Sequence, residues 1–147
     1  FEGATINTPS LLATEDYIAA LEWAQSIGGR KAMFERADAN AKIVTDWIEA
    51  TPWLRNMVSD PAQRTNTGVC FVFQGEWYEG LSAEDQAAVP KTIAKMLEER
   101  DVGYDFNGYR DAPPSLRIWC GGTVEQEDLK RLLPWIEWAY ETVKSGI

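Results

Sequence analysis

The feature that most restricts the fold is an unbroken apolar run near the middle of the chain. Between Thr65 and Phe73 every residue from Val69 onward is apolar, and two of them are phenylalanines. Short runs rich in β-branched and aromatic residues are typical of strands inside a sheet. The run therefore predicts a central strand, covered on both faces or packed against helices on one face.

Helical patterns lie on both sides of this strand. The predicted helices are approximately residues 9–28, 30–50, 82–100 and 123–144, and the remaining predicted strands are 53–58, 104–107 and 116–120. Apolar residues recur in the helices at three- and four-residue spacing. This order predicts an α+β fold of two layers, in which helices pack on one face of a small, mainly antiparallel sheet.

Local signals set several of these boundaries. Asn7 or Thr8 is expected to cap the first helix, with Pro9 at its first position. The same helix start could bind an anion such as phosphate, with plain capping as the alternative. Thr123 is expected to cap the last helix. The buried stripe predicted for the second helix is Met33, Phe34, Ala37, Ala41, Val44, Trp47 and Ile48. Residues 74–80 are interpreted as a loop that exposes Trp77 and Tyr78.

Composition excludes several classes of function. The 147 residues carry a net charge of −9, contain no histidine and form no basic cluster, which argues against nucleic acid and anionic membranes as partners. Without histidine there is no His-based general base and no Ser-His or Cys-His pair. Cys70 and Cys120 lie in apolar runs without metal-ligand spacing. We expect free thiols in a reducing compartment rather than a disulfide.

Two arginines in residues 107–122 are the strongest candidates for a binding site. Arg110 and Arg117 are separated by a loop that Pro113 and Pro114 make stiff. Arg110 beside Asp111 is either a surface ion pair or part of an anion site. Arg117 stands among apolar residues that predict burial, and a buried arginine usually has an anionic partner.

Other polar positions have simpler interpretations. Arg64 and Asn66 could anchor the start of the central strand. Gly121-Gly122 precedes a helix but lacks the spacing and the lysine of a nucleotide site. The acidic stretches are expected to be solvated faces, at residues 76–79, 98–101 and 125–128. The first residues look like the middle of a protein, and we expect the chain to be a piece of a longer polypeptide.

Several separated motifs resemble the phosphoserine aminotransferase family. They are Thr5-Ile6-Asn7-Thr8-Pro9-Ser10, Glu15-Asp16-Tyr17-Ile18, Ser26-Ile27-Gly28-Gly29, Arg36-Ala37-Asp38-Ala39-Asn40-Ala41, Arg64-Thr65-Asn66-Thr67, Tyr109-Arg110-Asp111-Ala112-Pro113-Pro114, Leu116-Arg117-Ile118-Trp119-Cys120-Gly121 and Leu133-Pro134-Trp135. They occur in the order expected for the family and cover nearly the whole chain. The similarity corresponds to the C-terminal part of the enzyme, roughly its last two-fifths.

The resemblance implies a class V, fold-type I aminotransferase that uses pyridoxal phosphate and works as a cytoplasmic homodimer. Such enzymes exchange an amino group between glutamate and 3-phosphohydroxypyruvate, which gives phosphoserine for serine biosynthesis. Related phosphorylated acids are handled in pyridoxine (vitamin B6) biosynthesis. By this resemblance residues 1–28 are an interface segment and connecting helix from the end of the large domain. Residues 29–147 are the C-terminal small α+β domain.

The resemblance also assigns site residues. Asn7 and Thr8 match the pair that binds the cofactor phosphate of the neighbouring subunit. Arg117 matches the arginine that binds the substrate α-carboxylate, and Arg110 matches one that recognises the substrate phosphate. Tyr109 stands where some relatives have histidine, and the spacing from Arg110 to Arg117 can differ from theirs by one residue.

The Schiff-base lysine of the family has no counterpart in this chain. None of the lysines falls in a matching motif, namely Lys31, Lys42, Lys91, Lys95, Lys130 and Lys144. We therefore expect no catalytic residue here, no turnover by the chain alone and no cofactor bound by it alone. The expected partners are the rest of the polypeptide, a second subunit and small phosphorylated amino or keto acids. The alternatives are another class V enzyme, of the serine– or alanine–glyoxylate type, and a stand-alone non-catalytic binding domain.

Overall fold

A computed structural model describes residue 8, residues 10–109 and residues 111–146. Its sheet has three antiparallel strands in the order β1 (Leu54–Asn56), β2 (Gly68–Phe73) and β3 (Leu116–Trp119). The apolar run is thus the central strand, as predicted. The predicted strand at 104–107 is wrong, because only an isolated bridge joins Asn107 to Leu116.

The two faces of the sheet differ because side chains alternate along each strand. One face is apolar and buried: Phe71 lies opposite Leu116, and Val69 lies opposite Ile118. On the other face Cys70 lies opposite Arg117. The predicted burial of Arg117 is therefore only partly right. Its side chain is 24% exposed and lies on the open face of the sheet, whereas Leu116 and Ile118 point into the core.

Five α-helices complete the α+β fold among the described residues. They are α1 (Leu11–Ser26), α2 (Gly29–Ala50), α3 (Glu76–Glu79), α4 (Ala83–Glu98) and α5 (Gln126–Gly146). A short 3-10 turn covers Pro61–Gln63. The core lies between the sheet, α2, α4 and α5. Within the described part of the chain, no helix has the length and apolar character needed to cross a membrane.

The helix starts differ from two of the predictions. Ser82 caps α4, and its hydroxyl accepts from the Asp85 amide. The cap of α1 is Ser10, whose hydroxyl accepts from the Ala13 amide, so the prediction of Asn7 or Thr8 as the cap is wrong. The prediction of Thr123 as a cap is also wrong, because α5 begins three residues later.

Side chains of helix α2 form hydrogen bonds with the turn between β3 and α5. Arg36 donates from Nε to the Gly122 carbonyl at 2.7 Å, and the buried Asn40 amide donates to the carbonyls of Gly121 and Val124 at 3.1 and 2.9 Å. A Cβ on Gly122 would lie 2.9 Å from the Met33 carbonyl oxygen. Close packing, rather than phosphate binding, therefore accounts for the glycine pair.

The predicted stripe of α2 needs one correction. Phe34 is 61% exposed, and the buried residues are Ala37, Asn40, Ala41, Val44 and Ile48. Asn40 takes a core position because its amide nitrogen donates to two turn carbonyls, whereas its buried Oδ1 has no hydrogen-bond partner among the described residues.

The segment predicted as a loop at 74–80 contains helix α3, and its aromatic residues are structural. Tyr78 is buried, and its hydroxyl donates to the Gln86 carbonyl at 3.1 Å. That carbonyl has no helical partner, because Pro90 lacks an amide hydrogen and α4 continues through it. Trp77 packs edge-on against Tyr140.

Candidate functional site

The open face of the sheet forms one wall of a cavity of about 710 Å³. Its lining residues come from β2 and β3 and from the segments that precede each of these strands. They are Thr65, Gly68, Cys70, Tyr104, Asp105, Phe106, Tyr109, Arg117, Ile118 and Trp119. Arg117 is the only cation among these lining residues. The cavity therefore combines aromatic walls with one permanently charged, planar hydrogen-bond donor.

Contacts on several sides hold the Arg117 side chain. Its terminal nitrogen donates to Asp105 Oδ2 at 2.5 Å, and its Nε donates to the Asp105 backbone carbonyl at 3.3 Å. The Tyr109 ring lies against the guanidinium group, with its centroid 4.6 Å from Cζ. A cation on an aromatic face is attracted by the ring quadrupole. The guanidinium plane is therefore fixed at the edge of the cavity.

Nearby charges and burial shift the pKa values of Arg117 and Cys70, which lie opposite each other in the sheet. Desolvation acts to lower the pKa of Arg117, but contacts with Tyr109 and the Asp105 carboxylate outweigh it and raise the pKa, so the side chain stays cationic. Burial raises the pKa of the Cys70 thiol, and the charge of Arg117 partly opposes that rise. The cavity wall therefore holds a neutral thiol beside a cation at neutral pH.

The remaining predicted positions have different outcomes. Thr8 is exposed ahead of α1, whereas Asn7 and Arg110 lie outside the described residues. Arg64 donates to the carbonyls of Val58 and Ser59, and Asn66 donates to Asp38 at 2.6 Å. These contacts make Arg64 and Asn66 anchors of the segment before β2, which is the structural interpretation that their positions indicated.

The sequence pattern did not indicate the two residues whose side chains contact Arg117. The predicted strand at 104–107 contains Asp105, and Tyr109 stands out only as a departure from the family pattern. Asp105 has φ 61°, in the left-handed region that aspartate tolerates better than most residues. Gly103 nearby was a usable signal for a turn here, since a Cβ at that position would lie 2.6 Å from the Phe106 ring.

Comparisons with known proteins agree with this architecture. The chain is 45% identical over 144 residues to a phosphoserine aminotransferase from Methanosarcina mazei, covering 98% of the chain and 36% of the relative. A phosphoserine aminotransferase structure from Bacillus circulans subsp. alkalophilus matches with a TM-score of 0.74 at 20% identity, over 92% of this chain and 34% of that one. A pyridoxal-phosphate-bound phosphoserine aminotransferase from Trichomonas vaginalis gives 0.72 at 20% identity, over 90% and 34% of the two chains. No protein-family model matches the chain.

The fold is that of the α+β C-terminal domain of aminotransferases of this type, with a small antiparallel sheet among helices. By sequence the chain belongs to the phosphoserine aminotransferase family and corresponds to its C-terminal part. It spans about a third of the length of the curated relatives it matches.

Proposed function

We propose that this chain is the substrate-recognition domain of a phosphoserine aminotransferase, which transfers an amino group between glutamate and 3-phosphohydroxypyruvate in serine biosynthesis. The observation that carries the proposal is the oriented guanidinium group of Arg117 at an open cavity. A planar cation with several donors suits a carboxylate, which it can bind through two parallel hydrogen bonds. Arg117 would bind the substrate α-carboxylate, and Arg110 would bind the substrate phosphate.

The stiffness of the intervening loop supports two separate anchors. Pro113 and Pro114 restrict the backbone between the arginines. The backbone amide of Arg117 donates to the Phe106 carbonyl at 2.8 Å, which fixes the strand end that carries its side chain. Two anchors at a set distance would select acids that carry both a carboxylate and a phosphate. Related phosphorylated acids of pyridoxine biosynthesis share this chemistry.

Pyridoxal phosphate would be the cofactor of the full-length enzyme, where it supplies an electron-accepting ring for chemistry at the substrate α-carbon. Thr8, with Asn7, would bind the cofactor phosphate of the neighbouring subunit, and the exposure of Thr8 allows such a contact. None of the described residues that line the Arg117 cavity is a lysine. The residue that holds the cofactor would lie elsewhere in the polypeptide, so the chain alone would not catalyse transamination.

Exposed apolar residues on α1 support the proposed division of the chain. Leu11, Leu12 and Tyr17 are 80%, 73% and 67% exposed, and no described residue of α1 is buried. We therefore propose that residues 1–28 pack against the large domain or the second subunit of a homodimer, and that residues 29–147 form the small domain. The two free thiols favour a reducing compartment such as the cytoplasm.

Substitution of the two arginines tests this function in the full-length enzyme. We expect Arg117→Gln to lower kcat/KM roughly 10- to 100-fold for phosphoserine and also for unphosphorylated amino acids, because hydrogen bonds to charged groups contribute about 1.5–3 kcal/mol. Arg110→Gln should affect phosphoserine far more than an unphosphorylated amino acid. Arg55→Gln, which changes an exposed arginine on β1, is the control and should leave both rates unchanged.

The outcomes separate the proposal from its alternatives. Equal losses for both substrates in Arg110→Gln would favour a class V enzyme of the serine– or alanine–glyoxylate type, which has no phosphate to bind. Unchanged kinetics of the full-length Arg117→Gln protein would contradict the proposal that Arg117 binds the substrate carboxylate. Turnover by the isolated chain with added pyridoxal phosphate, at a rate near that of the full-length enzyme, would contradict the proposed location of the cofactor-holding residue.

A further inference from the structure

Asp105 contacts Arg117 through its backbone carbonyl and through its side-chain carboxylate, and the second contact is easier to break. The backbone carbonyl of Asp105 belongs to a segment fixed by the bond between the Arg117 amide and the Phe106 carbonyl. The carboxylate of Asp105 lies at the rim, with its side chain 80% exposed, whereas the Arg117 side chain is 24% exposed. An exposed carboxylate keeps most of its hydration and can leave its partner at small cost.

The guanidinium group does not need that carboxylate to keep its orientation. The backbone carbonyl of Asp105 still accepts from Nε, and the Tyr109 ring still lies against the guanidinium group at 4.6 Å. This cation–π contact holds the guanidinium group without help from the carboxylate. Orientation and charge neutralisation are therefore supplied by different groups around Arg117.

We infer that the Asp105 carboxylate is an internal ligand of Arg117, which a substrate carboxylate has to displace before it can bind. This inference rests on the proposed function, because it takes Arg117 as the carboxylate anchor. Two carboxylates beside one cation repel each other, so the bound Asp105 opposes the incoming acid. Its side chain lowers affinity for carboxylate ligands and does not position the arginine.

The backbone at Asp105 offers a substitution that changes charge without changing conformation. Asparagine adopts the left-handed region as readily as aspartate, so Asp105→Asn keeps the φ of 61° and removes the charge. Asp105→Gly also tolerates this φ and removes the side chain entirely. Asp101 is a matched control, since it has φ 53° and its carboxylate accepts from the Tyr104 hydroxyl instead of from Arg117.

The test measures the dissociation constant of 3-phosphoglycerate for the full-length protein by calorimetry. This probe carries a carboxylate and a phosphate but no amino group. We expect Asp105→Asn and Asp105→Gly to tighten binding about 1.4- to 5-fold, which corresponds to the roughly 0.2–1 kcal/mol that an exposed ion pair contributes. Asp101→Asn should leave the constant unchanged.

The same measurements in an Arg117→Gln protein distinguish a failure of this inference from a failure of the proposed function. In an Arg117→Gln protein, binding should be weaker, and Asp105→Asn should have no further effect. Suppose that Arg117→Gln weakens binding. If Asp105→Asn in the otherwise native protein then weakens binding or leaves it unchanged, Asp105 is not a displaceable ligand and this inference is overturned. If Arg117→Gln itself leaves binding unchanged, the proposed carboxylate anchor fails.

Discussion

At the scale of single residues, the alternation of side chains along β3 decides which groups reach the cavity. Leu116 and Ile118 enter the core, and Arg117 between them faces the open side of the sheet. Its opposite partner in the ladder is Cys70, which lines the same cavity. The pair therefore couples a fixed charge to a thiol, and the thiol can report on that charge.

The two thiols should differ in their reaction with iodoacetamide. Burial raises the pKa of Cys120 to about 11, so at pH 8 only about one thiol in a thousand is ionised, and its side chain is inaccessible. Cys70 is partly exposed, and Arg117 lowers its pKa against the effect of burial. We expect native protein to be alkylated at Cys70 well before Cys120, as measured by peptide mass spectrometry.

Removing the charge should change the pH profile of Cys70. In Arg117→Gln the pKa of Cys70 should rise, because only the effect of burial remains, and the midpoint of the alkylation rate should move to higher pH. Arg55→Gln should leave that midpoint in place. An unmoved midpoint in Arg117→Gln would mean that the guanidinium charge does not act on the thiol, contrary to the geometry described above.

At the scale of elements, α1 and α5 illustrate two kinds of helix. Helix α5 is amphipathic: Leu129, Leu133 and Ile136 enter the core, and the outside is mostly polar or charged, apart from the partly exposed Trp135 and Trp138. Helix α1 buries none of its described residues, although apolar side chains occupy more than one of its faces. A helix that is apolar on several sides is usually covered by other protein. Under the proposed division of the chain, α1 would therefore be the element that depends most on the rest of the polypeptide.

The isolated chain should reveal that dependence. We expect it to bind a hydrophobic dye and to self-associate in sedimentation velocity, because contiguous exposed apolar surface promotes association. Leu12→Lys together with Tyr17→Lys should reduce both effects. A control change at Val58, which is 37% exposed and lies outside α1, should not. A monomeric chain without dye binding would argue against a covered α1 surface and would favour a stand-alone domain.

At the scale of the whole molecule, the proposed function gives this chain the recognition of the substrate and assigns the chemistry to residues beyond it. The large cavity beside Arg117 is open, and its described walls carry one cation, several aromatic rings and a thiol. The chain also spans only about a third of its curated relatives. Under the proposed function, a complete active site would form where this domain meets the other parts of the enzyme.

Much of the fold could be predicted from sequence because it depends on local periodicity. The central strand and the long helices follow from apolar spacing, and the family resemblance rests on motifs in order. Other features depend on more than spacing. Asn40 contacts a carbonyl 81 residues away, and Asp105 pairs with Arg117 12 residues away. The cap of α1 depends on local competition between adjacent polar side chains. Spacing alone carries no information on such contacts, so these positions were missed.

Whether Arg117 binds the substrate carboxylate can be read from one interatomic distance. A crystal structure of the full-length protein with pyridoxal phosphate and O-phospho-L-serine would give the separation between the Arg117 guanidinium nitrogens and the ligand's α-carboxylate oxygens. We predict about 2.7–2.9 Å, typical of charge-assisted hydrogen bonds, with the Asp105 carboxylate moved away. A ligand carboxylate bound to another residue, with Arg117 still paired to Asp105, would show that Arg117 is not the carboxylate anchor.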